Sequence, residues 1–413
     1  MADITFGPFT IDVASNRLLR DGSEVRMRPQ AFLALRALAA HGGRLVDGDQ
    51  LIREAWGGTS VSRHTVHVTL GEVRRCLADC GSWIVHQRKG GYCLRIPESD
   101  TLIRHGWHFL NLRSRDGFDR ALECFEEAAD QAPRDSRAFE GQANCYLMMA
   151  SFGTRAGRDT LPAFLKAYER ALALVGPTPA MRCNYAHAIH MYQRHLPEAL
   201  AEFDDVIAAH PSLAIAHVRR TLLLVTMGDL EGALASSRRA MEADPLQPLS
   251  AILGVNVRLW RREFEAAACR GAEAVQLHPY FLLARAYYGA ALEFSGQVEA
   301  ALEQYQIGSV ITRGLPWVRA SEGSCLVKLG RADEARAILD ELLRRRRTEY
   351  IDAYALARLR HALGDVDGAF TELERAIDES VGSLYAIRFD PLLDCFRTDS
   401  RFAPLQERYL LGL

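Results

Sequence analysis

The chain has 413 residues, 48% of them apolar, and a formal net charge of −2. That length predicts two or more units, and that apolar share excludes global disorder. Residues 1–97 hold 13 basic against 9 acidic side chains and the remainder 37 against 43, so the first quarter is mildly basic and the rest acidic.

The opening "ITFGPFTIDVASNRLLRDGSEVRM" alternates short apolar stretches with turn signals at Gly7-Pro8, Ser15-Asn16 and Asp21-Gly22, and predicts three or four short antiparallel strands. In "RPQAFLALRALAAHGG", Pro29 suits a first helical turn, and Phe32, Leu35, Leu38 and Ala39 form a buried face before Gly42-Gly43. "VDGDQLIREAWGG" reads as a short helix with Asp47 or Asp49 as N-cap and Leu51, Ile52 and Trp56 turned inward. "SRHTVHVTLGEVRRCL" follows, with Val66, Leu70, Val73 and Leu77 on one helical stripe. Its other side carries His64, Val68, Gly71, Glu72 and Arg75, flanked by His67 and Arg74. "WIVHQRKGGYCLRI" then predicts two strands joined at Lys89-Gly90-Gly91. Strands, three helices and a hairpin, with a tight turn between the second and third helices, make a helix-turn-helix with a wing. Residues 60–95 carry six basic side chains (Arg63, Arg74, Arg75, Arg88, Lys89, Arg95) against Glu72 and Asp79, which suits a phosphate backbone.

Residues 3–97 resemble the effector domain of the OmpR/PhoB class of winged-helix transcription regulators. "GGRLVDGDQLIREAWG", "RHTVHVTLGEVRRCL" and "IVHQRKGGYCL" match that family's pattern in order and spacing, as does the sheet ahead of the first helix. The resemblance implies that residues 60–77 form the recognition helix and that the 86–91 turn is a wing reaching the minor groove. Arg88 stands at the wing's basic position beside Lys89, and Arg74 and Arg75 match a basic pair late in the recognition helix. Chemistry divides the candidates. Arg63, Thr65, Arg74, Arg75, Arg88 and Lys89 can bind phosphate, whereas His64, Val68 and Glu72 can touch base edges. Gly71 and Glu72 depart from the pattern, since relatives often place basic residues there, and glutamate repels phosphate while accepting from cytosine N4.

From residue 98 the chain is helical and periodic. Pro177, Pro211, Pro245 and Pro279 are 34 residues apart. Gly228, Gly296, Gly330 and Gly364 keep the same grid, as do Ala199, Ala233, Ala267, Ala301, Ala335 and Ala369. This is the period of tetratricopeptide repeats: alanine lets paired helices approach, glycine turns the chain between them and proline stops the second helix. Ala121, Ala128 and Pro133 mark an earlier unit. The 44 residues from Pro133 to Pro177 then imply a ten-residue insertion, placed at "SFGTRAGRDT". About eight helix pairs fill residues 98–381, and residues 382–413 form a cap. His187, His190, Arg194, Asn256, Arg258 and Trp260 read as exposed residues of the repeat helices, and the run Arg344–Arg347 as a solvated face.

The fold class is thus an α+β winged-helix domain (1–97) followed by an all-α tetratricopeptide solenoid. As a whole the chain resembles winged-helix regulators fused to such repeats, a HilA-like architecture. No phosphate loop, nucleophile elbow, His-Glu-x-x-His or dinucleotide fingerprint is present, so an enzyme is not expected. Nine scattered cysteines read as reduced thiols. Cys76 and Cys80, near His64 and His67, lack the second ligand pair a zinc site needs, so neither metal nor cofactor is expected. No signal peptide opens the chain and no apolar run approaches the roughly 18 residues of a membrane span. The expectation is a cytoplasmic, DNA-binding transcription regulator. Its partners would be double-stranded promoter DNA, RNA polymerase through the loop "GGTSVS", and a protein, peptide or small ligand in the repeat groove, with a homodimer at repeated half-sites. The alternative is a repeat scaffold whose winged helix lacks sequence-specific DNA binding.

Overall fold

The computed structural model of the chain describes residues 3–20, 22–87 and 91–411. These divide into two compact units, one reaching His105 and taking in Glu127–Pro133, the other holding Gly106–Glu126 and the chain from Arg134.

In the first unit β1 (Ile4–Phe6), β2 (Phe9–Asp12), β3 (Arg17–Arg20) and β4 (Ser23–Val25) form an antiparallel meander in that order. The register sets Ile4 opposite Ile11, Ile11 opposite Leu18 and Leu18 opposite Val25, one continuous apolar row on the core side. Gly7 turns β1 into β2 at φ 58°, and a Cβ there would collide with the Trp83 ring. Helix α1 (Pro29–Ala40) has proline in its first turn and buries Phe32, Leu35 and Leu38. A two-residue strand β5 (Val46–Asp47) leads into α2 (Gly48–Trp56), where the Asp47 carboxylate accepts from the Gln50 amide at 2.7 Å. Leu51 and Ala55 are its buried residues, while Ile52 and Trp56 are only half-buried. Gly57 ends it at φ 61°. Helix α3 (Arg63–Cys76) and a 3-10 helix (Ala78–Trp83) come next. Then β6 (Ile84–Gln87) and β7 (Gly91–Leu94) complete a second sheet of order β5-β7-β6. Neither β5 nor the 3-10 helix is evident in the sequence, since two residues show no alternation and Trp83 reads equally well as strand.

Eight successive helix pairs follow among the described residues. They are α4 (Glu98–Asn111) with α5 (Arg115–Gln131), α6 (Ser136–Ser151) with α7 (Gly157–Val175), and α8 (Pro179–Ala188) with α9 (Leu196–Ala209). Next come α10 (Ala214–Met227) with α11 (Leu230–Ala243), and α12 (Pro248–Trp260) with α13 (Phe264–Leu277). The last are α14 (Leu282–Phe294) with α15 (Val298–Ile311), α16 (Pro316–Lys328) with α17 (Ala332–Arg345), and α18 (Ala353–Ala362) with α19 (Val366–Asp378). Ala121, Ala199, Ala233, Ala267, Ala301, Ala335 and Ala369, each in the second helix of its pair, are all 0% exposed. The insertion is only partly loop: α7 has 19 residues where α11 has 14.

The turn inside each pair shows what the glycine grid stands for. Gly228, Gly296, Gly330 and Gly364 are left-handed at φ 97°, 84°, 77° and 86°. At the grid positions 34 residues either side of Gly228, Arg194 and Arg262 take the same conformation at φ 58° and 64°. A side chain there costs about 1 kcal/mol, and both arginines hold the C-terminal segment. Arg194 donates to the Tyr409 carbonyl at 3.2 Å and stacks 3.8 Å over its ring. Arg262 forms a two-point ion pair with Asp394, with Nη2 to Oδ1 at 2.8 Å. The segment comprises two 3-10 turns (Gly382–Ala386, Pro391–Leu393), α20 (Asp394–Arg397) and α21 (Phe402–Leu411). Phe396, Phe402 and Leu405 pack with Phe370 and Leu373 of α19, while the Tyr385 carbonyl accepts from the Thr226 hydroxyl (3.1 Å) and its ring meets Trp260 edge to face.

The first and last repeats also meet. Arg115 donates to the carbonyls of Thr154 (3.0 Å) and Tyr350 (2.7 Å), and the Arg158 amide donates to the Glu379 carbonyl at 3.3 Å. These contacts and the returning tail overturn one expectation. His187, His190, Asn256 and Trp260 are buried, not exposed, and Arg194 and Arg258 are half-buried with their guanidinium groups on backbone carbonyls. Within the Arg344–Arg347 run, Arg345 pairs with Glu341 and Glu349, and Arg346 with Glu372.

Replacing Arg194 by glycine relieves strain but strips donors from the carbonyls of His190, Met191 and Tyr409, and should cost about 2–3 kcal/mol. Arg262→Gly should stay within about 1 kcal/mol of the parent, because the relieved strain offsets an exposed ion pair. Thermal unfolding midpoints check both, and equal losses at the two sites would refute this division of roles.

Candidate nucleic-acid interface

The outward face of α3 is set by what it buries. Val66 is 1% exposed and Leu70, Val73 and Leu77 are 0%, at spacings of four, three and four. The helix starts at Arg63, not at residue 60, because Ser62 caps it: its hydroxyl accepts from the Thr65 amide at 3.1 Å. The Thr65 hydroxyl lies 3.0 Å from Ser62 Oγ and belongs to the same cap.

Arg63, His64, His67, Val68 and Arg75 stand together on the exposed side, with Val68 52% exposed. Arg75 Nε lies 3.5 Å from the Gly71 carbonyl, a contact too long to hold the guanidinium. Arg74 differs from its neighbour. Its Nε and Nη2 donate to the Ile84 carbonyl at 3.2 and 2.9 Å, so its charge ties α3 to the first residue of β6. Glu72 is half-buried, and its Oε1 lies 3.7 Å from Nε of Arg28, which is 82% exposed. Arg28 was missed in the sequence: it precedes Pro29, and only the packing of α1 against α3 brings it beside the face. A Cβ at Gly71 would meet nothing within 4 Å, so packing inside the domain does not require glycine there. Arg88 and Lys89 lie outside the described residues; β6 and β7 flank them, paired from Gln87–Gly91 to Ile84–Leu94.

Between α2 and α3, Gly57, Gly58, Thr59 and Ser60 are all exposed. Among the described residues no helix is long and apolar enough to cross a membrane.

Residues 22–94 match the family described as transcriptional regulatory protein, C terminal, and residues 108–150, 189–248 and 322–382 match the tetratricopeptide repeat. The chain is 36% identical over 72 residues to the transcriptional regulatory protein KdpE of Mycobacterium tuberculosis, covering 17% of this chain and 32% of that one. It is 26% identical over 98 residues to the transcriptional activator CadC of Escherichia coli, covering 23% and 19%. The chain thus spans a third or less of the curated relatives it matches. In structure, human IFIT1, solved as a dimer with m7Gppp-AAAA, aligns over 84% of this chain and 90% of its own at TM-score 0.51 and 14% identity, a likeness of fold alone. The chain therefore carries an OmpR/PhoB-type DNA-binding domain and tetratricopeptide repeats.

Arg74→Ala should lower stability by about 1–2 kcal/mol, read by denaturant midpoint, because the Ile84 carbonyl loses a charged donor. Arg74→Lys should recover only part, since an ammonium cannot place two donors in a fork. A neutral Arg74→Ala would show that the guanidinium does not hold the helix to the sheet.

Proposed function

We propose that this chain is a transcription regulator whose OmpR/PhoB-type domain reads promoter DNA and whose repeats receive a controlling protein, peptide or small ligand. The observation that supports it most is the outer face of α3, where Arg63, His64, Val68 and Arg75 project from a helix anchored by four buried apolar residues. In the proposed docking α3 lies in the major groove and the segment with Arg88 and Lys89 in the neighbouring minor groove. Arg63, Arg75, Arg88 and Lys89 neutralise phosphates. His64, Val68 and Glu72 read base edges, Val68 against a thymine methyl and Glu72 as acceptor for cytosine N4. Thr65 and Arg74 act on the helix itself, one in its cap and the other in its tie to β6. The exposed loop before α3 is the surface offered to RNA polymerase, and repeated half-sites accommodate a homodimer. The protein works in the cytoplasm and catalyses no reaction.

Gly71 and Glu72 are the residues that favour a scaffold without sequence-specific DNA binding, but both are compatible with docking. Arg28 beside Glu72 offsets its repulsion of phosphate. Gly71 has open space around it, and its missing side chain leaves room for close approach of the DNA backbone.

Crosslinking and sequencing of bound DNA with the full chain should give discrete peaks sharing a repeated motif, absent for Arg75→Ala/Arg88→Ala. On such a site affinity should fall steeply with salt, and Arg75→Ala should reduce the log–log salt slope by about one. Salt-independent binding untouched by these substitutions would favour the scaffold. Gly71→Ala should stabilise the domain by about 1 kcal/mol while weakening DNA binding. Improved stability with unchanged affinity would remove Gly71 from the interface.

A further inference from the structure

The repeat unit holds a partly open cavity of about 390 Å³, walled by first helices of the pairs and by residues 381–392 of the returning tail. Its walls are mainly apolar, and Trp107, Trp260 and Trp317 line it. Three arginines line the same space: Arg358 is held by the Ser321 hydroxyl (3.0 Å) and the Tyr354 ring, whereas no ion pair joins Arg113 or Arg219 to a carboxylate among the described residues. Arg219 is 6% exposed and donates to Asn184 Oδ1. The Asn184 amide donates in turn to Asn144 Oδ1 at 3.2 Å, a chain that aims the guanidinium. Arg113 has only the Met148 sulfur at 2.6 Å and the Phe152 ring, 5.8 Å away. It is left-handed at φ 50°, like Arg194 and Arg262, but no tail residue compensates it as Tyr409 and Asp394 do the other two. The fold supplies no reason for an arginine there.

Three side chains in the wall leave one buried polar atom without a partner among the described residues: His187 Nδ1, Asn256 Oδ1 and Ser383 Oγ. His187 is 4% exposed and Asn256 1%. Buried polar atoms without partners are uncommon, and three in one wall call for a shared occupant. Burial, with the neighbouring Arg113 charge, lowers the Arg219 pKa to about 10, and burial and the Arg219 charge hold His187 neutral. A bound anion would relieve both. The carboxylates across the cavity are engaged within the protein. Asp390 accepts from the Tyr354 hydroxyl at 2.6 Å, and Asp352 caps the Tyr354 amide at 2.8 Å.

We propose that this cavity binds a small amphiphile with one anionic head, carboxylate or phosphate monoester, held by Arg113 and Arg219, its apolar body lying among the tryptophans. A donor group on the body would satisfy Asn256. The volume suits a small molecule and not a folded partner. This deepens the reading of the repeats as the receiving half of a regulator.

Intrinsic tryptophan fluorescence of the full chain reads the cavity without DNA, so its failure leaves the DNA-binding reading intact, and loss of DNA binding leaves this one intact. Straight-chain carboxylates of six to fourteen carbons are titrated beside alkyl phosphates and alcohols of equal length. One anionic series should bind at least about tenfold tighter than the alcohols, and the tighter of the two anions identifies the head. Arg113→Gly, which suits the left-handed backbone and so preserves the fold, should weaken that binding about ten- to a hundredfold. Arg219→Gln should do the same. Equal binding of acid and alcohol, no response across all three series, or unchanged affinity in Arg113→Gly with native unfolding behaviour would overturn the proposal.

Discussion

Everything the first unit can offer a partner depends on the burial of one helical stripe. Val66, Leu70, Val73 and Leu77 lie within the unit's hydrophobic core, and their burial leaves α3 a single rotational setting. A turn of about 160° would put Val68 inside and Val66 in water. Burying such side chains favours the observed setting by about 1.5–3 kcal/mol each. The identities on the outer face can therefore vary without disturbing the fold, which is how a recognition surface evolves independently of its scaffold.

Period and burial made much of the molecule legible. The alanine grid marks the second helices because a close crossing admits no larger residue, a steric rule that repeats every 34 positions. The stripe of α3 was readable because helical spacing depends only on local geometry. What escaped notice depends on contacts distant in sequence. Arg28 joins Glu72 across 44 positions, and Arg194 is explained by Tyr409, 215 positions away. His187 and Asn256 sit on amphipathic helices whose polar sides ordinarily face water. Nothing local announces that the chain's own tail covers them.

The two units use charge in opposite ways. Among the described residues no ion pair joins an α3 arginine to a carboxylate, and the Arg74 charge is turned to a backbone carbonyl. In the repeats most surface arginines have an acidic neighbour a turn away or on the next helix, as in Arg319 between Glu322 and Glu341. Paired charges of this kind add little stability but leave no field for a polyanion to follow. Arg113 and Arg219 break that habit inside the array, which is why they stand out.

An ordinary repeat array is one-dimensional: each pair touches only its neighbours, ends fray, and pieces can be removed with local effect. Here Arg115 clasps the Tyr350 carbonyl and Arg158 meets Glu379, so the line is joined into a loop. A loop has no free end from which unfolding can begin, and each junction has two routes of support. Strain introduced at one repeat is shared around the circuit, which gives an occupant of the interior a means of acting on the whole array at once.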